Sequence, residues 1–393
     1  MQPHHHQNKY FIAALALAII PITGLSIDIY VPSLPAVSLY FGVNKAYAQL
    51  TITAYMIGLG IMQLFAGGIS DSYGRRNPFL IAMFIYILST LWIPWSHRIS
   101  ELLFLRLMQG IFIGVTVVPI RSVIADLFEG KEFYKMVNYI AMSWSIGPII
   151  APAIGGYLQH YFGWQANFYF LAVYSSIFFL LALRYLPETS LHYHPFHLGK
   201  ILLRYRQILF HWDFLSGVFI NGILYSFIIL FSIVGPFLIQ NVLHYSAIEF
   251  GHIALLMGLA WFLGTTTNRF TLALDIEKKA RICFFIMLII IIFMFAISLF
   301  FPLKIWNIVI PMFILLWTGG TVFPNYFARA IALFPEMTGS ANALFGAFVF
   351  FIAGISSGFG TLLKSTRELP LIITYFGLII LCLIINHLRK TIP

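Results

Sequence analysis

From residue 10 to its end, the chain alternates apolar runs of about 20 residues with short polar intervals. A helix of that length covers the hydrocarbon core of a bilayer. Cutting the pattern at charges and turn residues predicts twelve helices, near 10–33, 46–69, 77–95, 101–124, 133–158, 165–186, 213–240, 247–267, 281–301, 304–328, 338–362 and 370–388. A polar interval rich in His and Arg falls between the sixth and seventh. It divides the chain into an expected six-helix bundle over 1–186, a linker over 187–212 and a second six-helix bundle over 213–393. The expected class is an all-α membrane protein, because lipid offers the backbone no hydrogen bonds and each span must satisfy its own.

Composition agrees: 60% of the 393 residues are hydrophobic, 9% are charged, and the mean hydropathy is +0.91. The net charge of +10 does not point to nucleic acid, since no basic block is interleaved with aromatics in a soluble segment. It follows the loops instead. With a cytoplasmic N-terminus, the opposite side holds only Lys45, Arg98, Lys304, Lys364 and Arg367 of the 23 basic residues. Arg106 falls within a helix, and the others, Arg121 among them, count to the cytoplasmic side, as the bias of positive charge toward that side requires. The two cysteines, Cys283 and Cys382, lie inside apolar runs and imply no disulfide framework. The N-terminal run reads as a retained first helix, because Asp28 and two prolines follow where a cleavage site would need small residues.

Few residues carry chemistry. Asp28, in "GLSIDIYVPSLP", is the one acid of 13 well inside an expected helix. It is 18 residues from Tyr10, or about 27 Å at the helical rise. Arg106 lies about 8 Å inward from Glu101 on the fourth helix, which puts the two charges at similar depth in the same half. A charge kept within the membrane is costly, at least about 2.5 kcal/mol, and a carboxyl withdrawn from water is suited to carry a proton, which a nearby Arg106 would oppose. The plainer reading of Asp28 is an interfacial acid at a helix end before Pro32 and Pro35.

The loop "GGISDSYGRR" offers Gly67 and Gly68 for close helix approach and Gly74 for a backbone that other residues avoid. Arg75 and Arg76 alone would only mark the cytoplasmic side, but Asp71 makes the decapeptide more specific. After the eighth helix stands "GTTTNRFTLA", which sets Asn268 against Asp71 and is a trace of an internal repeat. The fifth helix concentrates Gly147, Pro148, Pro152, Gly155 and Gly156, a run that bends a membrane helix and lets a neighbour pack closely. Tyr30, Tyr55, Asn221, Tyr225, Asn325 and Asn342 are polar or amphipathic residues that could line a cavity between the halves. His192, His194 and His197 are too loosely spaced around Pro195 for a metal site and read as an interfacial linker. The acids are too scattered for a membrane enzyme, and no cofactor is expected.

On these motifs the chain resembles the Major Facilitator Superfamily. Asp71, Gly74, Arg75 and Arg76 match its G-x-L-a-D-r-x-G-R-R signature, with Ser72 in place of the usual basic residue. Arg106, Gln109 and Gly110 match R-x-x-Q-G, and the fifth-helix run matches G-x-x-x-G-P-x-x-G-G with Ala151 for its second glycine. "SIDIYVPSLP", "SIVGPFLIQ" and "TGSANALFGAF" resemble the Bcr/CflA-type drug:proton antiporters. The resemblance implies a monomer in the bacterial inner membrane that exchanges protons for small amphipathic or cationic compounds. It also implies that the Gly67–Arg76 loop latches the two halves, with Asp126 as acidic partner; by itself Asp126 could equally balance Arg121 and Lys131. A transporter dedicated to one metabolite, such as a siderophore or amino acid, by export or proton-linked uptake, is the alternative.

Overall fold

The computed structural model describes residues 4–190, 197–364 and 367–391, so His192 and His194 lie outside the described residues. Twelve helices are long and apolar enough to cross a membrane, and among the described residues there is no strand. The largest departure from expectation is the first span, which reaches Tyr40 rather than ending near 33. It is broken into Ile22–Asp28, a tight turn at Val31–Ser33 and Leu34–Tyr40. Pro21, Pro32 and Pro35 explain the breaks, since each removes a backbone donor. Asp28 is therefore the last residue of a short helix inside the span.

The fourth span runs over Ile99–Leu127, past the expected end at 124. Arg121, already within the expected helix although counted above to the cytoplasmic side, thus lies deeper in the span than expected. The second span, Lys45–Tyr73, packs along it: at Gly58 a side chain would start 2.5 Å from the Leu107 carbonyl.

Two contacts dominate the joint between the first six spans and the last six. The second span lies against the eleventh, Pro335–Gly360, and the fifth, Gly130–Phe162, against the eighth, Ala247–Phe270. The fifth-helix glycines make the second contact possible. A Cβ on Gly155 would stand 1.9 Å from the Ile29 carbonyl oxygen, and one on Gly156 2.5 Å from that of Ala247. Gly147 sits against Leu25 of the first span, and Pro148 against Gly24. Gly67 differs from expectation, because nothing lies within 4 Å of where its Cβ would be. No helix approaches closely there.

Candidate functional site

Hydrogen bonds between the first and last six spans cluster toward the end opposite the termini. Gln49 Nε2 donates to the Ile233 carbonyl at 2.7 Å, Thr53 and Ser357 share a hydroxyl bond of 2.8 Å, and Gln240 Nε2 donates to the Pro32 carbonyl at 2.9 Å. Tyr157 and His252 meet at 3.1 Å near the same end. On the side of the termini, Tyr205 of the linker helix Leu198–Leu209 donates to the Leu64 carbonyl at 2.6 Å. The far end of the seam is thus held closed by these bonds.

Asp28 lies on this seam. It is buried, and among the described residues no hydrogen bond or ion pair holds its carboxyl. Tyr225 of the seventh span is within electrostatic range, and its ring packs edge-on to Phe350 of the eleventh at 5.7 Å. Tyr225 is partly accessible, whereas Tyr30, Tyr55 and Asn221 are fully buried and Asn342 is exposed. Of the residues expected to line a cavity, Tyr225 is the one the structure brings near Asp28.

Arg106 does not pair with Asp28, contrary to the expectation of opposed charges. Its Nη1 donates to the Ser26 carbonyl at 3.0 Å and to Gln109 Oε1 at 2.9 Å, and Gln109 in turn donates to Thr90 at 2.7 Å. The guanidinium carbon stands 4.6 Å from the Tyr55 ring centre, 5.1 Å from Tyr30 and 5.9 Å from Phe168. Its Nε and Nη2 have no hydrogen-bond partner. The aromatic faces supply the compensation, since ring quadrupoles attract a desolvated cation. Tyr30 and Tyr55 therefore form the box around Arg106, and their hydroxyls meet Thr51 and the Thr23 carbonyl. The consequence is positional: Arg106 ties the fourth span to the first, two residues before Asp28.

The loop between the second and third spans is built on charge. Gly74 adopts φ +86°, a left-handed conformation. Arg75 Nη1 donates to Asp71 at 2.5 Å and to Ser70 at 2.9 Å, and its Nε reaches Asp126 at 3.3 Å. Arg76 donates to the carbonyls of Leu186 and Leu183, both at 2.9 Å, and so caps the end of the sixth span. Sequence reasoning missed Glu188. Its carboxylate accepts from the backbone N–H groups of Arg75 at 2.8 Å and Arg76 at 3.1 Å, at the start of the third span, Arg76–Trp95. Partial burial alone would raise its pKa, but the backbone donors of Arg75, Ser190, Arg76 and Thr189 prevail and hold it below the ordinary value. One signal was available: Glu188 is the only acid between 187 and 212.

The corresponding loop of the second half is built differently. Asn268 Oδ1 accepts from the Lys279 ammonium at 2.5 Å and from Asn325 Nδ2 at 2.9 Å, and Lys279 also reaches the Thr271 carbonyl at 3.2 Å. All three side chains are buried. Asn325 thus belongs to this hub. Nearby, Arg389 is bonded to Asp213 at 2.8 Å and lies over the Tyr326 ring at 5.2 Å.

Twelve helical spans whose membrane-embedded charges are few, with a buried acid at the seam, define a polytopic membrane protein. Residues 16–358 match the family model of the Major Facilitator Superfamily, and the chain belongs to that superfamily. It is similar to the bicyclomycin resistance protein homolog of Haemophilus influenzae, with 24% identity over 94% of each chain. It is also similar to multidrug resistance protein D of Escherichia coli K12, with 27% identity over 96% of this chain and 95% of that one. Both agree with the Bcr/CflA-type resemblance. Among solved structures, the inward-open xylose transporter XylE from E. coli superposes with a TM-score of 0.73 at 15% identity, covering 96% of this chain and 95% of that one.

Proposed function

We propose that the protein is a proton-coupled antiporter that exports small amphipathic or cationic compounds across the bacterial inner membrane. Two relatives named for bicyclomycin and multidrug resistance support this reading of the cargo. The halves 1–186 and 213–393 rock about the seam as a monomer, with the Gly67–Arg76 loop favouring one of the two states. The termini face the cytoplasm, in line with the excess of basic residues on their side. Labelling a cysteine placed near 200 in sealed cells with an impermeant reagent checks this, and no reaction is expected.

The observation that carries the mechanism is Asp28: a buried carboxyl at the seam with no partner among the described residues. A carboxyl so placed is held at least cost with its proton. Proton release frees a carboxylate for a cationic or hydrogen-bonding substrate, and competition for that one group is sufficient for exchange. Arg106 and Gln109 hold the first span in place for this, and the Gly147–Gly156 run lets the fifth span slide against the first and eighth.

The test uses tetraphenylphosphonium as the cationic probe on detergent-purified protein. Wild type should release protons as the probe binds, and Asp28→Asn should release none. Equal release from both would assign the proton to another group.

A further inference from the structure

Arg121 has no task in the scheme above. It stands six residues before the end of the fourth span, about 9 Å inside by the helical rise. Its Nε is fully buried, yet the side chain as a whole is only half-buried. Val118, Ser122 and Ala125 on the same stripe are likewise accessible, while Val117, Ile120, Val123 and Ile124 are buried. A group enclosed by protein and still accessible borders a recess. Because the seam is sealed at the far end, that recess opens toward the termini.

Lys9, Arg75, Arg76 and Arg106 of the first six spans are compensated. Arg75 has Asp71 and Asp126, Arg76 has two carbonyls, Arg106 has Ser26, Gln109 and its aromatic box, and Lys9 has Glu132. The acid nearest Arg121 in sequence, Asp126, already accepts from Arg75 and from Thr189 at 2.6 Å. Among the described residues nothing is bonded to the Arg121 guanidinium, and its Nε is fully buried without a partner. A cation in a span is costly to keep and marks a ligand pathway by default. A planar guanidinium fits a carboxylate through two parallel hydrogen bonds.

We propose that Arg121 docks the carboxylate of the transported molecule, so that the cargo includes amphipathic compounds bearing an acidic group. The proposal rests on the transport path described above and extends its substrate class. Fifteen residues of helix separate Arg121 from Arg106, or about 22 Å. Arg121 therefore acts as a first station, met before Asp28 and not together with it.

The experiment compares 2-naphthoate with its uncharged methyl ester at pH 7.5, measuring binding to the purified full-length protein by thermal shift and by titration of intrinsic fluorescence. Wild type should bind the acid more tightly than the ester. Arg121→Gln should weaken the acid about tenfold and leave the ester unchanged, as expected for one charge-assisted contact. Arg121→Lys, which keeps the charge without the fork, should lose a few-fold, and it serves as the second variant if the glutamine protein does not fold. No preference for the acid in wild type, or an undiminished preference in both variants, overturns the proposal. The acid-over-ester preference reads Arg121 and proton release on tetraphenylphosphonium binding reads Asp28, so the two assignments fail separately.

Discussion

The loops at Asp71 and at Asn268 occupy equivalent places in the two halves and solve the same problem with opposite materials. In the first, Arg75 lies between two full carboxylates, and Asp71 is 53% exposed. In the second, one ammonium is held by an amide, and Asn268, Lys279 and Asn325 are 6%, 5% and 7% exposed. Exposed ion pairs cost little to open and are screened by salt. A buried cation held by a neutral amide has no such freedom, because water cannot replace the lost acceptor. Under the proposed rocking of the halves, the first loop is the one suited to break and reform, and the second to hold its helices together.

The comparison breaks most visibly at Asn268. Asn268→Ala leaves the Lys279 ammonium with only the Thr271 carbonyl and should cost about 2–3 kcal/mol, read as a marked fall in thermal stability with poor recovery of folded protein. Asn268→Asp would convert this hub to the material of the first loop. It should fold as wild type with a melting temperature that stays insensitive to salt, because the new pair is buried. Next comes Asp71→Asn, whose native carboxylate is mostly in water. Its melting temperature should stay near wild type while transport falls severalfold, since the effect is on the balance between two states, about 1–2 kcal/mol. Wild-type transport in this variant would reduce the loop to a topology signal.

The smallest effect is expected at Glu188. Its depressed pKa means that its contribution is complete above the ordinary glutamate value and is lost only as pH falls through its own lower value. Limited proteolysis around 183–190 should therefore be as slow at pH 6 as at pH 7.5 in wild type. In Glu188→Gln it should be a few-fold faster at both, in keeping with an exposed contact of about 0.5–1 kcal/mol.

The fold was legible because each span carries its own signal in length and hydropathy, and Asp28 was legible as the one acid within an apolar run. Arg106 was legible as a charge but not in its role. Its box is assembled from Tyr30, Tyr55 and Phe168 on three other spans, and no local pattern announces that. Glu188 meets Arg75 and Arg76 across more than a hundred residues, a contact that only the folded chain creates. Arg121 was read inside the helix but counted with the cytoplasmic charges; the polar "ADLFEG" suggested an end at 124, and the helix continues to Leu127, which sets Arg121 deeper.

The glycine seam bears on how such a carrier can evolve. At Gly155 and Gly156 even a methyl group would collide with a backbone carbonyl of another helix, and backbone cannot step aside as a side chain can. Drift at these two positions is therefore closed, whatever compound the cell must expel. Tyr225 and Phe350 are under no such embargo, since their neighbours are rings that can be exchanged for others. On the proposed function, a change of cargo would fall to such rings and leave the glycine bearing as it is.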